Sequence, residues 1–375
     1  MNPLLETQKL GQSLWLDFIH RALLKNGGLA RLVQDDGIAG VTSNPAIFEK
    51  AIGSGSDYDA ALAAAVAAGQ RDPATLFESL AIDDIRAAAD VLWPVYQRTQ
   101  GRDGFVSLEV APDLAMDAER TVAEGQRLFK AVGRPNLMIK VPGTTAGARA
   151  VEDLTAAGIN VNITLLFSRL AYRAVAEAHM AGLERRLAQG LPIAEIASVA
   201  SFFVSRIDTV LDAEIDRRLA HDDAEAQTLT DLRGKIAIAN AKLAYDDYLQ
   251  QTQSARWQAL AAKGARAQRL LWASTGTKNP AYSDVLYIET LIGPDTVNTV
   301  PPATLDAFRD HGQAAARLTQ NIDDARYVLL ETARLGLPLA AVCEQLVIDG
   351  IAQFEQAQTQ LLTAVAAKRD RLLGG

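Results

Sequence analysis

A lysine stands near the end of an otherwise apolar run, Asn136-Leu137-Met138-Ile139-Lys140-Val141-Pro142-Gly143-Thr144-Thr145. The run reads as a short strand that stops at a Pro-Gly turn, where the Thr-Thr pair can cap a helix from about residue 146 to 156. Between Leu, Met, Ile and Val, the side chain of Lys140 loses part of its hydration, which disfavours the ammonium and leaves some free amine near neutrality. A free amine attacks carbonyls and forms a Schiff base. The competing reading is a lysine whose stem lies along the strand while its ammonium reaches solvent.

Carboxylates and amides stand at the ends of other apolar runs. Asp17 interrupts Ser13-Leu14-Trp15-Leu16-Asp17-Phe18-Ile19, and Glu109 closes Phe105-Val106-Ser107-Leu108-Glu109-Val110. Each is either a cap or an acid aimed into a cavity; for Asp17 taken alone the cap is the simpler reading. Asn44 ends the short strand of residues 37–45, and Asn before Pro also starts helices. In Asn160-Val161-Asn162-Ile163-Thr164 the polar residues alternate, so Asn160, Asn162 and Thr164 share one face. Arg206, soon after the strand of residues 196–204, opens a helix where a cation is unfavourable unless an anion binds there. Ser274-Thr275-Gly276-Thr277-Lys278 joins hydroxyls, glycine and a cation in one loop, which suits a phosphate although the spacing is not that of a P-loop.

These residues require a scaffold that gathers strand ends. Adding the runs at residues 269–273 and 296–300 gives eight apolar strands separated by helical stretches, the cadence of a parallel (β/α)8 barrel, an α/β fold. No Gly-x-Gly-x-x-Gly turn follows any strand, which argues against two open-sheet nucleotide-binding domains. In a barrel Asp17, Asn44, Glu109, Lys140, Asn162, Thr164, Ser201, Arg206 and Lys278 all converge on one mouth. The alanine-rich stretch of residues 57–98 reads as helical and structural, and the charged helix of about 227–250 as an outer, solvated layer. Beyond Asp306 the chain reads as helical to its end. The expectation is one barrel domain over residues 1–375, with about 310–375 as an appended helical segment.

Composition sets outer bounds. The chain has 375 residues, 49% hydrophobic and 22% charged, ordinary for a globular protein. Its net charge of -8 argues against nucleic acid or an anionic membrane as partner. No apolar run reaches spanning length, and the first residues lack the regions of a signal peptide, so the expected location is cytoplasmic. Cys343 is the only cysteine and reads as a buried helix residue, and the four histidines have no metal-ligand spacing. For assembly, the expectation is a monomer or homodimer.

The same residues carry a family resemblance. Leu16-Asp17, Thr42-Ser43-Asn44-Pro45, Leu108-Glu109-Val110, Ile139-Lys140-Val141-Pro142, the run Asn160 to Ser168 and the run Ser201 to Asp208 together resemble the transaldolases, in order and from about residue 11 to 300. The resemblance implies a class I aldolase barrel, with no cofactor, that moves a dihydroxyacetone unit between sugar phosphates in the pentose phosphate pathway. It implies that Lys140 is the Schiff-base lysine, Asp17 the acid/base at the cleaved bond and Glu109 a carboxylate acting through a water. Asn44, Asn162 and Thr164 match residues that hold the bound unit or that water, and Arg206 with Ser201 matches the phosphate site. Phe203 and Ser274 fall among the substrate-binding positions. One departure stands out: where smaller members place an arginine soon after an Ala-Ser pair, Ala273-Ser274 is followed here by Thr-Gly-Thr-Lys, which moves the second phosphate contact to Lys278. Fructose 6-phosphate aldolases of the same group look to have Gln and Tyr at the positions of Glu109 and Phe203, so both residues favour transfer over lysis. A sugar-phosphate-binding barrel without catalysis would have to lack Lys140, Glu109 or Asp17, and all three are present.

Overall fold

In a computed structural model that describes residues 2–53, 55–221 and 223–374, eight parallel strands close into a barrel in sequence order. They are β1 (Gln12–Leu16), β2 (Gly40–Val41), β3 (Phe105–Glu109), β4 (Leu137–Pro142), β5 (Val161–Leu166), β6 (Ser198–Phe203), β7 (Arg269–Ala273) and β8 (Thr296–Val300). Closure is made between β8 and β1, from Gln12 opposite Thr296 to Leu16 opposite Val300. Apart from half-buried Glu109 every strand residue is buried, because helices cover the outer face while side chains fill the inner one. The expected (β/α)8 barrel is therefore the fold.

Local chemistry sets the joints. Thr144 accepts from Gly147 N and caps the helix Thr145–Ala156, Ser168 caps Arg169–Ala188 through Ala171 N, and Asp72 caps Pro73–Arg98. Gly40 in β2 is obligatory for space, since a Cβ there would stand 2.5 Å from the Trp15 ring. The end of the barrel remote from the strand termini is closed by polar groups: Ser13 and Trp15 donate to Asp103, which pairs with Arg269 of β7 at 3.0 Å.

Three expectations change. The 57–98 stretch is two helices, Asp59–Ala67 and Pro73–Arg98, broken where Gly69 takes a left-handed φ of +94° and Pro73 restarts the chain. The charged stretch is also split, and its longer part, Ile236–Gln253, is no solvated layer. Lys242 and Asp247 are buried there, held by the carbonyls of Arg317 and Gln320 and by Arg169. After Pro302–His311 the tail leaves the helix over residues 312–321 before Ile322–Arg334 and Leu339–Gly374. Cys343 is a buried free thiol, as its helical setting suggested. Among the described residues no single helix is long and apolar enough to cross a membrane.

The C-terminal helix Leu339–Gly374 folds back over the carboxyl ends of the strands. It is seated on β5 and the residue that follows it. Leu165 takes a left-handed φ of +59° beside an irregularity in the β5–β6 register, and Gly350 lies so close that an added Cβ would meet Leu165 Cδ2 at 2.7 Å. Cys343 Sγ donates to Phe167 O at 3.3 Å, and Leu361 and Val365 are fully buried further along.

Candidate active site

At the carboxyl ends of the strands lies a chamber of about 340 Å³. Its wall includes nine of the anticipated residues: Asp17, Asn44, Lys140, Thr164, Ser201, Phe203, Arg206, Ser274 and Lys278. Lys140, in the otherwise apolar strand β4, is only 5% exposed. Its Nζ donates to Ser43 O at 3.1 Å and pairs with Glu109 Oε2 at 3.4 Å, because Lys140 and Glu109 are register partners on β4 and β3.

Glu109 is set back from the chamber wall. Its side chain stands behind Lys140, 4% exposed, with the ion pair to Lys140 and, among the described residues, no hydrogen bond to either oxygen, and borders a second, mainly apolar cavity of about 220 Å³ with Phe48, Phe77 and Leu361. Burial pushes its carboxyl above the usual range, with Lys140 pulling back and Asp17 adding to the rise. A carboxyl so placed can hold a proton beside the amine and return it.

Asp17 follows β1, where its backbone N–H bonds to Val300 O, and its side chain faces the chamber instead of capping a helix. Its Oδ1 accepts from Thr42 Oγ1 at 2.7 Å, and Thr42 is 2.6 Å from the Thr299 hydroxyl. Burial raises the Asp17 pKa, while Lys140, the Thr42 hydrogen bond and Arg206 act against that rise. Thr299 and Lys50 also line the chamber and escaped the sequence reading. Thr299 sits in a strand of β-branched residues with nothing to set it apart, and Lys50 lies on the helix Pro45–Gly53, not at a strand end.

The amides divide in use. Asn44 Oδ1 accepts from Ile47 N at 3.0 Å, so the residue starts its helix and still lines the chamber. Asn162 is fully buried below the chamber, donating to Ser107 Oγ at 2.9 Å and accepting from Ser201 Oγ at 2.6 Å; it thereby orients Ser201. Among the described residues Thr164 Oγ1 has no hydrogen-bond partner.

Cations gather on one side. Arg206 opens the helix Ser205–Leu219, with its guanidinium 5.3 Å over the Phe203 ring, and Lys278 lines the same chamber from the loop after β7. Ser274, at a left-handed φ of +55°, turns that loop and meets Ser205 Oγ at 3.0 Å. Two further bonds tie the loop to the helix of Arg206: Tyr282 donates to Asp212 at 2.7 Å and Tyr287 to Asp208 at 2.9 Å. Two cations, one on a helix start, can grip an anionic group.

Burial also lifts the Asp208 carboxyl to about 7 from 3.8. Between those values the folded protein keeps a proton that the unfolded chain has lost, so this group makes stability fall as pH rises from about 4 to about 7. The difference in unfolding free energy between the parent and Asp208→Asn, followed from pH 5 to pH 8, should change by a few kcal/mol, on the order of 1.4 per pKa unit. A pH-independent difference would refute the assignment.

The sequence profile of the family described as Transaldolase/Fructose-6-phosphate aldolase matches residues 14–365. A protein named Transaldolase 2 from a Nostoc species is 49% identical over 374 residues, covering 98% of each chain. A Trichodesmium erythraeum protein named Transaldolase is 48% identical over 375 residues, 99% of this chain and 98% of that one. One of the same name from Thiobacillus denitrificans is 48% identical over 365 residues, 97% of this chain and all of its own.

Proposed function

Because the chain belongs to the transaldolase/fructose-6-phosphate aldolase family, we propose that it is a transaldolase. It carries a dihydroxyacetone unit from a ketose phosphate such as sedoheptulose 7-phosphate or fructose 6-phosphate to an aldose phosphate, glyceraldehyde 3-phosphate or erythrose 4-phosphate. The observation that carries the reading is a buried lysine amine 3.4 Å from a buried carboxyl, on a chamber that a second carboxyl also lines.

The proposed steps begin with Lys140 giving a proton to Glu109 and its free amine adding to the ketose C2 carbonyl. Glu109, acting through a water, protonates the carbinolamine hydroxyl, which leaves as water, and an iminium remains on Nζ. Asp17 as carboxylate takes the proton of the C4 hydroxyl. The C3–C4 electron pair then moves into the iminium, an aldose phosphate departs, and a neutral enamine stays on Lys140. The incoming aldehyde takes back the C3 electron pair while Asp17 returns the proton to its oxygen. Water then adds at C2 and frees the lysine. Asn44 and Thr164 are placed to bind hydroxyls of the retained fragment, and Arg206 with Lys278 to hold the far phosphate, so that binding energy there orients the reacting carbon.

The location we propose is the cytoplasm, which suits charged substrates that do not cross bilayers unaided and a chain whose sole cysteine is a free thiol. Glyceraldehyde 3-phosphate release from fructose 6-phosphate tests the activity. A burst of about one equivalent per site should occur without acceptor, and continuous turnover only when erythrose 4-phosphate is added. Equal steady rates with and without acceptor would make the protein a lyase instead.

A further inference from the structure

We propose that the Gln353–Phe354 edge of the C-terminal helix is a wall of the sugar chamber, and that Phe354 favours transfer over release by keeping proton-donating water from C3 of the three-carbon fragment held on Lys140, while the water that serves Glu109 and C2 keeps its place. The proposal rests on the Schiff-base reading above. Neither residue lies in a strand or a strand-end loop, and no motif in the sequence draws attention to them.

Three observations support it. Phe354, 6% exposed, lines the chamber with Lys140, Asp17 and Phe203, and Lys140 Nζ lies 5.9 Å from the centre of its ring. Its neighbour Gln353 accepts a hydrogen bond from Arg206 Nη1 at 3.1 Å. The helix that bears both is fixed on the barrel at Gly350 against Leu165 and at Cys343 on Phe167 O, within about three turns of Phe354. The two side chains therefore belong to an anchored surface.

The chemistry gives this wall a task. After C3–C4 cleavage the enamine is electron-rich at C3. A proton delivered to that carbon regenerates an iminium; water then adds at C2, the C2–N bond breaks with its electrons passing to Nζ, and free dihydroxyacetone leaves. Transfer requires the fragment to escape that sequence until an aldehyde arrives. An aromatic ring has no proton to give and excludes the water that could bring one, so covering the amine side of the chamber with Phe354 slows release while the cationic side stays open to an aldose phosphate. The ring also offers its π face to a cation on Nζ, ammonium or iminium. Gln353 is a positioning residue: a neutral amide orients the Arg206 guanidinium without cancelling its charge, leaving that charge for a phosphate.

The test compares the parent protein with Phe354→Ala, Phe354→Leu and Gln353→Ala. Dihydroxyacetone released from fructose 6-phosphate alone is measured against transfer to erythrose 4-phosphate, with borohydride trapping run in parallel. Phe354→Ala should raise the ratio of release to transfer by about tenfold and still be trapped, and Phe354→Leu, which restores apolar cover, should stay within about twofold of the parent. Gln353→Ala should raise KM about tenfold for erythrose 4-phosphate and much less for unphosphorylated glyceraldehyde. An unchanged ratio in Phe354→Ala, or equal leakage in Phe354→Leu, overturns the role of the ring. Equal KM changes for the two acceptors overturn that of Gln353, and this arm decides even if Phe354→Ala does not fold. A parent protein that borohydride and fructose 6-phosphate fail to label refutes the Lys140 reading itself, a different and recognisable result.

Discussion

Lys140→Ala should lose transfer activity by a factor on the order of 10⁴ or more and should acquire no covalent label when fructose 6-phosphate and borohydride are added together. The size follows from the reaction, since without the amine the ketose carbonyl has no electron sink and C3–C4 cleavage would have to leave charge on carbon. The fold should tolerate the change. The amine is satisfied by Ser43 O and Glu109, and its removal takes away the charge that opposes the burial-driven rise of the Glu109 carboxyl, which can then take up a proton and sit in the core uncharged. A variant that melts with the parent but is inert isolates the chemistry. Labelling that persists in it would place the adduct on another lysine, with Lys50 and Lys278, both on the chamber wall, the first to test.

Removing Asp17 should separate the two halves of the reaction. Asp17→Ala is expected to form the Schiff base and be trapped as the parent is, while turnover falls by about 10² to 10⁴, the usual weight of a positioned general base. Its carboxylate accepts from the Thr42 hydroxyl while its backbone N–H bonds to Val300 O, and among the described residues no other carboxylate lines the chamber to take over as proton acceptor. Because burial raises its pKa, the ionised fraction falls on the acid side before that of an ordinary aspartate would. The parent should lose cleavage there as pH drops, whereas the residual rate of the variant should lack that limb. Undiminished turnover in Asp17→Ala would refute the role.

Much of this architecture could be read before any coordinates. β7 and β8 match their sequence runs residue for residue, and β3 to within one residue, because short runs rich in apolar and β-branched residues, bounded by polar loops or by proline, leave little freedom in where a strand can begin and end. β2 shrank to Gly40 and Val41: Ala39 N and Thr42 N still bond to Leu14 O and Leu16 O on either side of it, but the paired ladder itself is two residues long, a distinction that strand patterning does not make. Convergence of polar strand ends followed from the fold alone, and seven of the nine residues it named lie on one wall, joined there by Phe203 and Ser274, which the family resemblance had indicated. Glu109 and Asn162 lie outside that wall, because which way a strand-end side chain leans depends on neighbours: Glu109 on the Lys140 ammonium, Asn162 on two serine hydroxyls. The charged helix was misread because charge usually marks solvent, whereas Lys242 and Asp247 are buried with partners 75 and 78 residues distant in sequence. Phe354 had no legible signal at all. A phenylalanine on an amphipathic helix looks like core, and what brings it to the mouth is the contact between Gly350 and a single leucine in an unusual backbone conformation.

The brevity of β2 bears on how the two halves of the chemistry are held. Lys140 stands in a strand matched at four positions on each side, whereas Thr42, which steadies Asp17, follows a strand matched at one position to β1 and at two to β3. The covalent anchor is thus mounted on a stave stitched along both edges and the proton acceptor leans on the least stitched one. A strand with few ladder bonds opens locally at lower cost, so the expectation is that a ketose too large for the resting chamber displaces the Asp17 side before it moves the nitrogen that must meet its carbonyl.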